Sequence, residues 1–225
     1  MAYPTIDAPY GLKPINLIGG QVFAGATRQR RIATSYTTNI FYGDPVKLVA
    51  DGTIERATNE SDAPNEGFAG VFLGCQYVNA TTKQPTFSQY WPGVTVASNS
   101  VILAFLCDDP DQLFKVVGCS SGTTVDTTTG AFQYTAIGSN VALINNYNTS
   151  YSDTGDSRQA VNTGSETTTK TLPLRIVDVV PDTAFVISST TYFPEVIVKW
   201  NMPNVDGDGV PQGGHAYYNP LGHAA

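Results

Sequence analysis

Residues 41–57, FYGDPVKLVADGTIERA, decide the fold class of this chain. Apolar residues recur at every second position over Val46–Ala50, the period of a strand with one buried face. Asp51-Gly52 favours the positive φ values of a tight turn, and residues 53–57 then return as a second strand. The apolar run at 67–74, GFAGVFLG, is expected to lie beside this hairpin as a third strand. The unit predicts β-structure and carries no reactive group.

Composition extends the β prediction to the whole chain. Only 14% of the 225 residues are charged, whereas 27 are threonine, which suits pleated sheets and disfavours helices. We therefore predict an all-β protein with an antiparallel sandwich or barrel-like body. The predicted division is an extended N-terminal arm at 1–35, a β-rich body at 36–201 with long polar loops at 118–170, and a C-terminal tail at 202–225.

Further strands follow from apolar runs along the body. Val101–Leu106 is six apolar residues in a row, which predicts a strand buried on both faces. An Asp-Asp-Pro-Asp turn at 108–111 and an alternating return strand at 112–117 are expected to follow. Short strands are predicted at 140–144 and 160–161. The predicted core is one sheet built from Val46–Ala57, Phe68–Leu73, Val101–Leu106, Leu174–Val180 and Val196–Trp200.

The N-terminal arm is predicted to need a surface to lie on. Pro4, Pro9 and Pro14 disfavour regular structure, and apolar residues follow that cannot be buried within so short a segment. The arm must therefore lie along the body or on a partner. Its candidate residues for contact with a partner or with a neighbouring protomer are Leu12, Ile15, Leu17, Ile18, Arg28, Arg30 and Arg31.

Charge is unevenly distributed along the chain, whose net charge is −7. Residues 1–47 hold five basic and two acidic residues, whereas 48–225 hold seven basic and seventeen acidic ones. This asymmetry suggests two faces with different partners, and simple solubility is the alternative interpretation. With a pI near 4.6 the body repels phosphate, so no nucleic-acid partner is expected.

Motifs for catalysis, cofactors and membrane insertion are not found in the sequence. The only histidines are His215 and His223, and no nucleophile, phosphate-binding or zinc motif is present. Residues 204–209 copy the first half of a calcium loop, but His215 stands where the bidentate glutamate belongs. We predict no enzyme activity, no catalytic or metal residues and no cofactor. Apolar runs are too short to span a membrane, so no membrane partner is expected.

Three cysteines, Cys75, Cys107 and Cys119, are an odd number without metal-ligand spacing. Free, buried thiols are the expectation. The acidic turn at 108–111 contains neighbouring carboxylates, but this pattern around a proline is typical of a turn rather than of acid/base catalysis.

Several motifs resemble those of capsid decoration, or cement, proteins of tailed bacteriophages. The similar stretches are the hairpin Gly43–Ala57 with the GVFLG at Gly70–Gly74, the turn at 108–111 with Leu113–Val116, and the ending at 174–177, 196–201 and 217–222. The resemblance implies a non-enzymatic β-rich protein on the outer surface of an icosahedral virion, made in the host cytoplasm. Its implied partners are the major capsid protein and further copies of itself in a homotrimer. The seven candidate contact residues of the arm are then expected to touch the capsid or a neighbouring protomer.

Two alternatives stay open at this point. One is another virion component, such as a head–tail connector or a fibre base. The other is a carbohydrate-binding β-sandwich that uses the aromatic rings of Tyr77, Tyr90 and Trp91 as a stacking platform.

Overall fold

Strands dominate the computed structural model, which describes residues 6–57, 68–144, 146, 154–168, 172–201, 203–205 and 211–213. The all-β prediction is confirmed. The strands are β1 Lys13–Leu17, β2 Arg28–Ile32, β3 Pro45–Leu48, β4 Thr53–Arg56, β5 Phe68–Val78, β6 Pro85–Ser88, β7 Ile102–Cys107, β8 Gln112–Ser121, β9 Thr124–Val125, β10 Asn140–Val141, β11 Leu143–Ile144, β12 Ala160–Asn162, β13 Leu174–Val179, β14 Phe185–Ile187, β15 Thr190–Tyr192, β16 Glu195–Trp200, β17 Pro203–Val205 and β18 Pro211–Gly213. Short 3-10 turns lie at Tyr134–Ala136, Thr163–Ser165 and Pro181–Thr183. No helix within these ranges has the length and apolarity to cross a membrane.

The predicted hairpin is confirmed and forms part of a small barrel. Strand β3 pairs with β4 and also with β5, which in turn pairs with β7. Strand β7 pairs with β2, and β2 runs parallel to β4, so the five strands close into a ring. Closure leaves these strands without free edges, and β6 extends the ring from β5. We call this the barrel sheet.

The hairpin turn has the geometry that its sequence predicts. Gly52 has a φ of +79°, and the Asp51 carboxylate accepts hydrogen bonds from the backbone N–H and the hydroxyl of Thr53 at 2.9 and 2.7 Å. Val46 and Ile54 point into the barrel, where both are fully buried together with Phe72. Alternation along both strands therefore fills the barrel with apolar side chains.

A second, larger sheet has the order β10-β13-β16-β8-β12-β11, and β1 and β9 also pair with β8. Its inner face carries Phe114, Ile176 and Val198, which are fully buried. They share one core with Val71 and Cys107 of the barrel sheet, so this core lies between the two sheets. Most pairs are antiparallel, as predicted, but β12 is parallel to β8 and β2 to β4, which makes both sheets mixed.

The predicted core is wrong in assigning all its strands to one sheet. Val46–Ala57, Phe68–Leu73 and Val101–Leu106 contribute to the barrel sheet, whereas Leu174–Val180 and Val196–Trp200 contribute to the large sheet. The short strands predicted at 140–144 and 160–161 are present.

Strands β7 and β8 each differ from the sequence prediction. Strand β7 has only one fully buried face, because Leu103 and Phe105 are half-buried and Val101 before it is 45% exposed. Strand β8 does not return along β7. The turn at 108–111 instead leads the chain from the barrel sheet into the large sheet, where β8 pairs with β16 and β1.

Residues 6–35 of the predicted N-terminal arm lie along the body, which is one of the two positions expected for the arm. Strand β1 pairs with β8, and Leu12 is fully buried in the core between the sheets. Strand β2 completes the barrel and is therefore a structural strand of the body. Of the predicted tail, β17 and β18 pair with each other.

A buried carboxylate joins the two sheets. Asp44 accepts hydrogen bonds from the Ser157 hydroxyl at 2.5 Å and from the Phe41 N–H at 2.8 Å. The preceding Gly43 has a φ of +92°, and its carbonyl accepts the Leu12 N–H at 3.0 Å. A Cβ on Gly43 would lie 3.1 Å from the Leu12 nitrogen, so this close approach of backbones requires glycine. Burial raises the pKa of Asp44 to about 6.

Replacing Ile176 by alanine tests the core. Ile176 is fully buried, so Ile176→Ala is expected to lower the free energy of unfolding by about 2–5 kcal/mol. The matched control is Val177→Ala on the opposite, half-buried face of β13, with an expected loss below about 1 kcal/mol. Urea unfolding measures both. Equal losses at the two positions would contradict the assigned faces of β13.

Asp44 is expected to make stability depend on pH. Its pKa is 3.8 when exposed and about 6 in the folded chain, so folding takes up a proton between these values. The stabilising contribution is therefore full below pH 3.8 and is lost as the pH rises through 6, a change of about 3 kcal/mol. Asp44→Asn removes this pH-dependent contribution to the unfolding free energy. We expect the difference in unfolding free energy between wild type and Asp44→Asn to shrink as the pH falls across this window.

The control for that measurement is Asp51→Asn. Asp51 is exposed, and the hydrogen bonds from Thr53 lower its pKa, so its titration falls outside the window. A pH profile of Asp44→Asn that runs parallel to that of wild type would show that Asp44 is ionised without penalty.

Candidate interaction surface

The side of the large sheet that faces away from the core carries a row of basic and apolar side chains. Register places Lys13 of β1 opposite Lys115 of β8, and Lys199 of β16 opposite Arg175 of β13. Ile197 lies opposite Lys115 and, two residues before Lys199 on β16, shares a face with it. Residues directly opposite each other share a face of the sheet, so these five side chains lie on one face, together with the exposed Asp178 opposite Ile197. We call them the outer face.

One acidic residue, Glu195, is sunk into this face and holds the N-terminal segment. Its side chain is only 2% exposed, and it accepts a hydrogen bond from the Tyr10 hydroxyl. The Lys115 ammonium lies 3.3 Å from the same carboxylate. The ammonium groups of Lys13 and Lys115 lie 4.5 and 5.6 Å from the centre of the Tyr10 ring, which both cations face. Burial and the Glu195 hydrogen bond raise the pKa of Tyr10, so its hydroxyl stays a donor.

The opposite end of the outer face opens into a groove of about 490 Å³. Ile18 and Ile137 form apolar walls, and Arg175 and Lys199 supply positive charge. Ile18 is 50% exposed, and Trp200 contributes to the lining although it is almost completely buried. No acidic side chain lines the groove within the described part of the chain. The groove can thus accept a group that is both apolar and negatively charged.

The four apolar residues that were predicted to contact a partner differ in how far they are buried. Leu12 is a core residue, so it is not available to a partner in the folded chain, and its assignment as a surface contact was wrong. Ile15 and Leu17 are half-buried on β1. Ile18 follows β1 directly and is the exposed residue of this set.

The predicted arginines lie on β2 of the barrel sheet. The Arg28 side chain forms an ion pair with Asp108 at 2.6 Å, so its charge is partly neutralised within the chain. Arg30 is half-buried and Arg31 is exposed. The acidic turn at 108–111 contacts both the predicted arginines and the predicted apolar residues. Asp108 pairs with Arg28, and the Asp111 carbonyl accepts the Ile18 N–H at 2.9 Å. Their role as capsid or protomer contacts stays a prediction.

The aromatic platform of the carbohydrate-binding alternative does not form. Trp91 is fully buried in the barrel, and its indole N–H donates to the Tyr36 carbonyl at 3.1 Å. Tyr77 packs edge-on against Trp91 with ring centres 5.3 Å apart. Tyr90 is half-buried and stacks on Phe41. Trp91 and Tyr77 belong to the interior, so the three rings do not form a shared exposed platform.

The acidic turn and the three cysteines, the other candidates for chemistry, have structural roles. Asp109 accepts the Asp111 N–H at 2.8 Å, so the acidic stretch is the predicted turn. All three cysteines are free and buried, as predicted, and burial raises each thiol pKa to about 12, which suppresses the reactive thiolate. Within the described ranges no three His, Cys, Asp or Glu side chains are grouped for metal binding. Asp206 and Asp208, in the partial calcium loop at 204–209, lie outside those ranges.

Comparisons with protein-family models, with curated proteins and with solved structures found no match to this chain. A function therefore has to be argued from the chain's own residues. Sequence reasoning missed Arg175, Lys199 and Ile137. Alternation along β13 and β16 would have placed Arg175 and Lys199 on polar faces, but nothing in the sequence pairs those two strands in this register.

Tyr10→Phe tests how the N-terminal segment is held. The variant leaves the buried Glu195 carboxylate with one donor fewer, which is expected to cost about 1–3 kcal/mol. Because the lost bond spans Tyr10 and β16, backbone amides of β1 should exchange hydrogen faster than in wild type. Tyr134→Phe, at an exposed tyrosine, is the control. Unchanged exchange in β1 would mean that Glu195 does not anchor this segment.

Proposed function

We propose that this chain is a structural, non-enzymatic virion protein that binds the outer surface of an icosahedral phage capsid and stabilises contacts between capsomers. Two independent lines support the proposal. One is the resemblance of the hairpin and terminal motifs to those of decoration proteins. The other is the outer face, where four basic side chains and Ile197 share one side of a sheet in a chain of net charge −7.

The outer face is the observation that carries the proposal. Lys13, Lys115, Arg175 and Lys199 lie on this face as two opposed pairs, with Glu195 buried beside Lys115 and Asp178 exposed opposite Ile197. Apolar area and arginine, here Ile197 and Arg175, are typical of the centres of protein interfaces, whereas lysines are depleted there and suit the polar rim. The overall negative charge disfavours a nucleic-acid partner, so a protein surface with acidic groups is the complementary partner.

Affinity for the capsid would come mainly from apolar contact and from multiplicity. Exposed ion pairs contribute only about 0–1 kcal/mol each, so charge alone would not hold the protein. Ile18 and Val22 are exposed at the turn that follows β1 and offer apolar area. If copies assemble as a trimer, as the resemblance implies, several weak contacts act together on the repeating lattice. The major capsid protein is the proposed partner.

Co-sedimentation with empty heads of the virus that encodes the chain tests this function. Wild type is expected to sediment with the heads, and Ile18→Asp should reduce binding at least about tenfold, because it places a charge in an apolar contact. Phe87→Asp is the matched control, since Phe87 is 71% exposed on β6 of the barrel sheet.

The number of copies bound per head at saturation distinguishes a decoration protein from a connector or a fibre base. Copies that scale with the number of capsomers support decoration of the shell. A few copies per head would favour a connector or a fibre base instead, and absence of wild type from the pellet would refute the proposed function.

A further inference from the structure

The large sheet contains two pairs of like charges that face each other across neighbouring strands. Lys13 lies opposite Lys115, and Arg175 lies opposite Lys199. Like charges directly opposite each other destabilise a sheet. Each pair therefore needs a compensating negative charge or carries an electrostatic cost.

The chain itself compensates the first pair. Lys115 forms an ion pair with Glu195, and both lysines lie over the electron-rich face of the Tyr10 ring. Glu195 lies on β16, beside Lys115, and balances one of the two charges, while the Tyr10 ring contacts both ammonium groups.

The second pair has no ion-pair partner within the described residues. The exposed Asp178 lies on the same face, opposite Ile197, but its carboxylate accepts the Val179 N–H at 2.8 Å and does not line the groove. No ion pair or ring contact involves Arg175 or Lys199 in the described part of the chain, and the groove that they line has no acidic side chain. Arg175 is exposed and Lys199 is half-buried, so a ligand in solution can reach both charged side chains. Ile18 and Ile137 flank the two charges on the same groove.

We propose that Arg175 and Lys199 form a carboxylate-binding site that takes an extended acidic segment of a partner protein, with apolar residues of that segment against Ile18 and Ile137. The bound carboxylate takes the place that Glu195 occupies at the other pair. The identification of this partner as the capsid protein rests on the proposed function, whereas the binding site itself rests on the groove.

Chemistry of the groove favours a polypeptide over a nucleic acid. A nucleic-acid strand would need exposed aromatic rings for stacking, and the aromatic residue of the groove, Trp200, is almost completely buried. The chain's charge of −7 repels a polyphosphate, whereas a single carboxylate with apolar neighbours matches two cations between two isoleucines.

Binding of a synthetic peptide tests the site. The probe is a capped hexapeptide that alternates glutamate and leucine, and the matched probe has lysine in place of glutamate. Calorimetric titration of the full chain is expected to show binding of the acidic peptide that weakens with salt, and no binding of the basic one.

Arg175→Glu is the decisive variant. Its new carboxylate would face Lys199 and supply the missing charge from within the chain. The acidic peptide should then bind at least about tenfold more weakly, while the thermal unfolding midpoint stays the same or rises. Arg31→Glu, at an exposed arginine of the barrel sheet, is the control and should bind the peptide as wild type does.

Several results would overturn the site: no binding of the acidic peptide by wild type, equal binding of the basic peptide, an equal loss in Arg31→Glu, full binding by Arg175→Glu, or a lowered midpoint in that variant. Head co-sedimentation then separates the two proposals. Loss of peptide binding without loss of head binding in Arg175→Glu would refute the capsid protein as the partner at this groove. Peptide binding by a chain that never sediments with heads would refute the proposed function and leave the site standing.

Discussion

The buried carboxylate of Glu195 is the constraint on which the outer face depends. A charge removed from water has to be matched by close donors, and here Tyr10 and Lys115 supply them. Tyr10 belongs to the N-terminal segment and Glu195 to β16, so this one contact spans 185 residues of the chain. It turns a proline-rich segment that cannot fold by itself into the strand that borders β8 and carries Lys13.

A second buried carboxylate, Asp44, has the corresponding role between the sheets. Its partner Ser157 lies far along the chain, and Gly43 allows the backbone of Leu12 to come within hydrogen-bond distance. The barrel sheet, the N-terminal segment and the residues before β12 therefore meet at one point. The two sheets also share apolar contacts, such as that between Phe68 and Trp200, whose ring centres are 4.8 Å apart.

Strand register sets the positions of the charges on the outer face. In one opposed cationic pair Lys115 is balanced by Glu195, and the other pair, Arg175 with Lys199, lines a groove. An acidic protein that concentrates cations on one sheet face has a directional surface rather than a uniform one. This contrast within one sheet links the fold to the proposed binding of an acidic protein partner.

The sequence by itself determined the β class, the hairpin around Asp51-Gly52 and the free thiols, because period-two alternation, turn residues and cysteine spacing are local properties. Only the tertiary structure decided which strands are neighbours. Leu12 was predicted to be a surface contact because the sequence does not show which strands cover it in the folded chain. The pairing of Arg175 with Lys199 depends on register between strands separated by a hairpin, and register arises from the whole core rather than from either strand.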